Sequence, residues 1–386
     1  MDSHLTTTTS VSPAVVTADH TPTTASITHT LTLIHDNNHD PFTKIQAAKE
    51  IRRLTKTSQS CRRQFSDAIV PLVSMLRSPS LEAKAAALLA LLNLAVQDET
   101  NKISIVDAGA LEQIVSLFEL KNTNMQEHAT ALLATLSASV AKRSTIGKSG
   151  AIPFLVKIID KGTPQAKFDA VLALSNLSSE SDNLKIILES NPIPNLVQIL
   201  KTSKKSSKIS EKCTALLEAL VGFEDGRVAL TSEDGGVLAV VEVLERGSPQ
   251  NREHAVGTLL TMCETDRCRY REPILKEGVI PGLLELTVQG TLNSQKKAHT
   301  LLRLLRESPY PRSEMEPDTL ENIVCDIISQ IEGEEQSGNA KQMLADMVQV
   351  SMEQSLRHLQ QRALVCTPSD LPIASNCGSK VSLKYN

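Results

Sequence analysis

Tryptophan is absent from this chain of 386 residues, and aromatic residues make up only 2% of it. Because aromatic side chains dominate the energetics of compact protein interfaces, a small aromatic-centred binding patch is disfavoured. No apolar run approaches the roughly 20 residues that a membrane-spanning helix needs. The seven cysteines are irregularly spaced. This spacing favours free thiols over a disulfide framework and provides no zinc-ligand pattern.

The charge balance also excludes several classes of function. With 40 basic and 44 acidic residues, the net charge is −4, so no global field attracts nucleic acid or an anionic membrane. The sequence contains neither a Gly-x-x-x-x-Gly-Lys phosphate loop nor a His-Glu-x-x-His metal motif. We therefore expect no catalytic centre, cofactor, metal or small-molecule substrate. No signal peptide is visible, since the first basic residue is Lys44, and we expect a monomer in the cytoplasm or nucleus.

A small residue, here termed the anchor, returns seven times at intervals of 40 to 43 residues. The anchors are Ala47, Ala87, Ala129, Ala170, Cys213, Ala255 and Ala298. Four and seven positions after each anchor stands Leu, Ile or Met. This spacing lies on one face of an α-helix. A repeat of this length predicts a helical solenoid, which binds other macromolecules along its surface.

A second series runs in phase with the anchors and marks where helices end. Its members are Ala68, Gly109, Gly150, Asn191, Gly235 and Gly278. In the best-formed unit, Gly150 ends one helix and Thr163-Pro164 caps the next, longer one. Ser78-Pro79 and Ser248-Pro249 are predicted to occupy the same capping position. Each unit of about 42 residues thus contains three helices.

Two segments carry a family resemblance. Residues 150–156 read Gly-Ala-Ile-Pro-Phe-Leu-Val and residues 173–178 read Ala-Leu-Ser-Asn-Leu-Ser, which resembles the armadillo repeat. The resemblance implies an all-α, right-handed superhelix of about seven three-helix repeats over residues 41–307. In that family the long third helices line a concave groove that holds proteins or extended peptides.

Within the family the repeats look most like those of plant U-box/armadillo ubiquitin ligases. Residues 1–40 contain no Cys and no Trp, whereas a U-box needs both. The resemblance therefore implies a non-catalytic, armadillo-only relative, which we expect to act as a scaffold and as an adaptor in ubiquitin-linked signalling. A ubiquitin ligase component is the alternative.

A nuclear import receptor is a further alternative. Importers of this family need a Trp four residues before each groove asparagine to hold lysine side chains by cation–π contact. Leu89 and Leu172 stand at those positions here, which disfavours this function.

The candidate binding residues follow from the helical register. Positions one residue before and six residues after each anchor should face the groove, and Asn93 and Asn176 match the positions where armadillo importers hold a peptide backbone. The candidates in these two rows are Arg53, Asn93, His128, Thr135, Asp169, Asn176, Lys212, His254, Thr261 and Lys297, and Lys49, two residues after its anchor, is a further candidate.

The termini differ in composition from the repeats. Residues 1–40 are rich in Thr and Ser and are predicted to be a disordered tail. Residues 308–363 contain two amphipathic segments, at about 318–331 and 339–363, which we expect to form helices capping the array. Residues 364–386 are predicted to be a second disordered tail.

Truncation after Ser308 tests the capping prediction. The last repeat of a solenoid exposes an apolar face unless a cap covers it. We expect the truncated protein to aggregate or to lose thermal stability, as measured by light scattering and circular dichroism. An unchanged monomeric melting curve would show that residues 308–363 are not a cap.

Overall fold

The computed structural model describes residues 24–36 and 40–306, which contain 20 α-helices, two 3₁₀ turns and no strand. The predicted all-α solenoid is confirmed. Seven long helices, here termed the third helices, each carry one anchor. They are α2 (Pro41–Thr55), α5 (Leu81–Ala95), α8 (Thr123–Ser137), α11 (Pro164–Leu177), α14 (Lys208–Leu220), α17 (Pro249–Thr265) and α20 (Leu292–Arg306).

The remaining helices fill the other two places in each repeat. The second helices are α1 (Thr24–His35), α4 (Ile69–Met75), α7 (Ala110–Glu119), α10 (Ala151–Lys161), α13 (Ile193–Thr202), α16 (Gly236–Arg246) and α19 (Ile280–Gln289). The first helices are α3 (Gln59–Gln64), α6 (Glu99–Asp107), α9 (Arg143–Lys148), α12 (Ser181–Glu189), α15 (Glu224–Ser232) and α18 (Arg267–Lys276). Among the described residues, the first repeat therefore consists of a second and a third helix.

The anchors explain why the third helices stack. All seven are buried, with at most 2% exposure. Each third helix from α2 to α17 packs directly on the next one along the chain, because a small residue lets neighbouring backbones approach closely. The second helices form the other layer, in which the rings of Phe118 and Phe154 stack with centroids 5.6 Å apart.

The predicted disordered tail is wrong for residues 24–35, which form α1. Ile27, Thr30 and Ile34 are buried on one face of this helix, and α1 packs against α2 and α4. The polar composition of the whole segment obscured this short stripe, whose spacing of three and four residues is helical. The helix takes the place of a second helix and covers the beginning of the array.

Two of the three predicted caps are confirmed. The hydroxyl oxygens of Thr163 and Ser248 accept hydrogen bonds from Ala166 N–H (3.2 Å) and Asn251 N–H (3.3 Å) at the starts of α11 and α17. The prediction for Ser78 is wrong, because α5 begins at Leu81 and Ser80 caps it. The turn before α5 is two residues longer than it would be if Ser78 were the cap.

The glycine series also behaves as expected at most positions. Gly109, Gly150, Gly235 and Gly278 have φ between 61° and 82°, and Asn191 has φ of 51°. Asn and Gly tolerate this left-handed conformation best. Ala68, the remaining member, instead ends the 3₁₀ turn Ser66–Ala68 with φ of −75°.

Polar side chains from the first helices satisfy the carbonyl groups at the ends of the third helices. Arg62 donates to the carbonyl oxygens of Thr55, Lys56 and Val96. Arg143 and Arg227 bind the ends of the preceding third helices in the same way. Because the last four carbonyls of a helix lack intrahelical partners, these bonds fix each repeat to its neighbour.

The predictions for residues 1–23, 308–363 and 364–386 fall outside the described residues, which end at Arg306. Within the described array, Leu284 of the last second helix is 55% exposed, whereas Val197 and Val241 at the equivalent position are buried. The helices that carry Val197 and Val241 each pack against the second helix of the next repeat, whereas α19, which carries Leu284, is the last second helix described. None of the described helices is long and apolar enough to span a membrane.

The buried residue Asn183 provides a test of inter-repeat bonding. Its amide nitrogen donates to the carbonyl oxygens of Arg143 and Leu177, both at 3.1 Å. Asn183→Ala leaves these carbonyls unsatisfied, so we expect unfolding free energy to fall by about 1–3 kcal/mol. Denaturant titration measures this loss. Asn124→Ala, at an exposed helical position, is the matched control; an equal effect in both variants would contradict the bonding argument.

Candidate functional site

All eleven candidate residues lie on third helices. We define the third-helix face as the positions one residue before and two, five and six residues after each anchor. Most of the candidates are half-buried or exposed, as a binding surface requires. The exception is Asp169, which is only 8% exposed. Ala86, at the same register position in the second repeat, is also buried.

The first repeat places two basic candidates in ion pairs. Lys49 Nζ lies 2.8 Å from Oε1 of Glu82 on the next third helix. Arg53 binds both carboxylate oxygens of Glu50, at 2.7 and 2.8 Å, and this hydrogen bond holds the pKa of Glu50 below its ordinary value. Exposed pairs of this kind are worth little, so a stronger anionic partner can displace them.

The two groove asparagines have structural bonds that the sequence did not predict. Asn93 Nδ2 donates to the carbonyl oxygen of Arg52 at 2.8 Å. Asn176 Nδ2 donates to the hydroxyl oxygen of Ser137 at 3.0 Å. Both bonds run to the end of the preceding third helix. Each amide thus links two repeats, and its carbonyl oxygen is the atom suited to accept from a partner.

The middle of the face is partly desolvated. Burial lowers the pKa of His128, and the positive charge of Arg52 lowers it further against the opposing effect of Glu127. Burial raises the pKa of Asp169, although Gln165 donates to both of its carboxylate oxygens at 3.1 and 3.2 Å. Charged groups of low exposure interact strongly with a partner that excludes water.

The C-terminal part of the face contains a cluster that spans three repeats. The carboxylate of Glu218 lies 2.7 Å from His254 Nδ1 and accepts a hydrogen bond from Lys297 Nζ at 2.8 Å. Burial alone raises the pKa of Glu218, but these two hydrogen bonds outweigh it and lower the pKa.

Gly257 makes this cluster possible. A Cβ atom at this position would lie 1.8 Å from Glu218 Oε1 and 2.8 Å from Lys297 Nζ. The sequence analysis identified His254 and Lys297 but missed Glu218 and Gly257. The signal was present, since Glu218 stands five residues after its anchor, next to the candidate row.

The other candidates have weaker contacts. Lys212 lies 3.9 Å from Glu211. Thr135 donates to the carbonyl oxygen of Ala131 in its own helix at 2.9 Å. Thr261 accepts, through its backbone carbonyl, a hydrogen bond from Thr265 at 2.7 Å. Each of these three contacts stays within one helix.

Metal-binding clusters and thiols are two kinds of reactive group to consider among the described residues. These residues contain no cluster of three or more His, Cys, Asp or Glu side chains able to hold a metal. Burial raises the pKa of the Cys213 thiol, and it raises that of Cys263 to about 11, so neither is an activated nucleophile. Three lysines at the junction of α13 and α14, namely Lys201, Lys205 and Lys208, each pair with a carboxylate.

Comparison with family models decides what kind of repeat this is. Residues 139–179 match the armadillo/beta-catenin-like repeat. Residues 166–316 match the plant U-box protein ARM repeat region.

These are armadillo repeats.

Three U-box domain-containing proteins from plants are similar in sequence to this chain. The chain is 32% identical over 274 residues to U-box domain-containing protein 45 of Arabidopsis thaliana, covering 68% of this chain and 35% of that protein. It is 34% identical over 275 residues to U-box domain-containing protein 17 of the same plant, covering 69% and 37%. For U-box domain-containing protein 4 of Oryza sativa subsp. japonica the identity is 32% over 277 residues, with the same coverages of 69% and 37%. The chain thus spans little more than a third of the length of these relatives.

Solved structures share the armadillo-type fold. An engineered protein superposes with a TM-score of 0.64 at 21% identity, covering 81% of this chain and 75% of that one. A second engineered protein gives a TM-score of 0.54 at 22% identity, covering 62% and 96%. At these identities the likeness shows the fold alone.

Substitution of Gly257 tests the cluster in the armadillo array. In Gly257→Ala the new methyl group occupies the space of Glu218 Oε1, so the bond to Lys297 should break and the pKa of Glu218 should rise towards its ordinary value of 4.5. NMR titration of the Glu218 carboxylate measures this pKa.

Lys297→Met is the matched control, because it removes the same bond without a clash. Combining the two changes should raise the Glu218 pKa no further than either alone. Since a lowered carboxylate pKa stabilises the fold above 4.5, the stability lost in Lys297→Met at neutral pH should disappear as the pH falls through the folded-state pKa. Fully additive shifts would contradict the shared contact.

Proposed function

We propose that this armadillo array is a non-catalytic scaffold that binds an extended segment of a partner protein along the third-helix face. A scaffold of consecutive repeats binds through a long, regular surface rather than one pocket. The low aromatic content fits this mode, because backbone and charge contacts replace aromatic hot spots.

The observation that carries the proposal is the common register of the face. Seven consecutive third helices stack on one another and present the same positions to one side of the array. An extended peptide has its own regular spacing, so it can meet equivalent positions on successive helices. The half-buried polar side chains at Asn93, Thr135 and Asn176 can pair with its backbone groups.

The two ends of the face are unequal. In repeats five to seven, Glu218 is already bonded to His254 and Lys297. The stretch from α5 to α11 has small or apolar residues between its polar ones, including Leu89 and Leu172, which are half-buried. We therefore place the strongest binding in the first four repeats.

The names of the relatives support a role in ubiquitin-linked signalling. The matched family model describes the repeat region of plant U-box proteins, and U-box domain-containing proteins align over about two-thirds of this chain. We propose that this array supplies partner binding in such a pathway, as an adaptor or as the binding region of a ligase.

No observation favours nuclear import. The two cation–π contacts of the described residues join Lys157 to Phe154 and Arg269 to Tyr270. All four residues lie outside the third helices, and the importer positions on the face hold Leu89 and Leu172.

We also propose that the protein acts in a reducing compartment, the cytoplasm or nucleus. Four cysteines fall in the described residues, and each is a free thiol. Fluorescence microscopy of a tagged full chain in plant cells tests this location, and secretion of the tagged chain would exclude it.

Peptide selection tests the binding face. A display library of random twelve-residue peptides is screened against the full chain. The affinities of the selected peptides are then measured by fluorescence anisotropy. Thr135→Arg places a long cation on the open part of the face, so the selected peptides should bind at least tenfold more weakly. Thr135 is half-buried and its hydroxyl donates to a carbonyl of its own helix, so the melting temperature should change little.

Leu238→Arg is the matched control, because Leu238 is 40% exposed on the second helix α16. It should leave these affinities unchanged. Peptides that lose affinity with Leu238→Arg but not with Thr135→Arg would place binding on the second-helix layer and refute the proposal.

A further inference from the structure

The Glu218 cluster reveals a contact rule of the array. Glu218 stands five residues after its anchor on α14, and Lys297 stands one residue before its anchor on α20. Their side chains meet at 2.8 Å by passing over Gly257, two residues after the anchor on the intervening helix α17. Side chains two repeats apart can therefore meet across the third-helix face when they occupy these positions.

The same rule applies to four other sets of positions along the described array. Only one of them, Arg52 and His128 across Leu89, has ionisable side chains at both ends. Arg52 lies on α2, Leu89 on α5 and His128 on α8. The positive charge of Arg52 lies close enough to lower the pKa of His128, after the larger effect of burial and against the opposing charge of Glu127.

These two equivalent sets differ in charge. At the C-terminal end, the Glu218 carboxylate contacts His254 and pairs with the Lys297 ammonium over a glycine. At the N-terminal end, the equivalent positions hold two basic side chains with a leucine between them, so they cannot form the same ion pair. The adjacent helix α5 provides no ionisable partner for Arg52. Ala86 stands there at the position equivalent to that of His254, the residue that contacts Glu218.

The nearby carboxylates are already engaged. Glu50 binds Arg53 and Glu82 binds Lys49. Glu127, next to His128, accepts a hydrogen bond from Thr163 at 2.5 Å. Arg52 is exposed, and within the described part of the chain its guanidinium makes no ion pair. Its fork of N–H donors matches the two oxygens of a carboxylate.

We propose that Arg52 and His128, facing each other across Leu89, form a subsite for the carboxylate of an Asp or Glu side chain in the bound segment. This inference rests on the proposed function and names the chemistry of one position in the partner. Arg52 binds the carboxylate through two N–H donors, His128 donates the third hydrogen bond, and Leu89 contacts the aliphatic part of the acidic side chain. A single permanent cation suits a carboxylate better than a doubly charged phosphate.

A charge reversal tests the geometry without any partner. Arg52→Glu places a carboxylate opposite His128, as Glu218 lies opposite Lys297. NMR titration should show the pKa of His128 rising, because a nearby anion favours imidazolium. Arg53→Glu is the matched control, since Arg53 pairs with Glu50 on its own helix, and it should affect His128 less. Equal effects of the two variants would overturn the proposed contact.

Binding is tested with the peptides selected on the full chain. We expect them to share an Asp or Glu whose replacement by Asn or Gln weakens binding at least tenfold. In Arg52→Gln the same replacement should have almost no effect, whereas in Arg53→Gln it should retain its full effect. Circular dichroism confirms that both variants fold.

The outcomes separate this inference from the proposed function. If Thr135→Arg abolishes binding but no acidic position is coupled to Arg52, the scaffold proposal stands and the subsite is wrong. If no peptide binds the third-helix face, both are wrong. Tighter binding through Arg52 after the acidic residue is replaced by phosphoserine would overturn the choice of a carboxylate.

Discussion

Close stacking of the third helices is the constraint on which the rest of the structure depends. Every anchor from Ala47 to Ala298 is small and buried, which lets each third helix lie directly on the next. A larger side chain at an anchor would separate two backbones and force the layers apart, since well-packed interiors tolerate little extra volume. The interval of 40 to 43 residues is therefore the length of chain that forms the helices between one anchor and the next.

Stacking also determines how the polar groups are used. The end of each third helix lies beside the first helix that follows, so residues such as Arg62 and Asn183 reach carbonyl groups that would otherwise be unsatisfied. Asn93 and Asn176 form related bonds on the third-helix face. Repeats are thus joined by directional bonds as well as by apolar contact, and the register between neighbours is fixed.

A fixed register turns separated residues into neighbours. Glu218 and Lys297 are 79 residues apart in sequence and form an ion pair at 2.8 Å, because the intervening helix carries Gly257. Arg52 and His128 occupy the equivalent positions in the first three repeats, with two basic side chains in place of an ion pair. The proposed scaffold function and its proposed specificity therefore depend on one repeated arrangement, varied by single side chains.

The sequence alone determined the fold and the helices that carry the site. Anchor periodicity predicted seven third helices, and every candidate residue lies on one of them, because a helical period is a local property of the chain. The capping signal was less reliable at Ser78, where the turn is longer, and composition hid the apolar stripe of α1, from Ile27 to Ile34.

Only the tertiary structure decided which candidates are available to a partner. Periodicity cannot show that Asn93 is bonded to Arg52, that Asp169 is buried, or that Glu218 joins His254 to Lys297. These contacts depend on the distance and register between helices some 40 and 80 residues apart in sequence. That distance is set by packing of the whole array, so no local pattern in the sequence contains it.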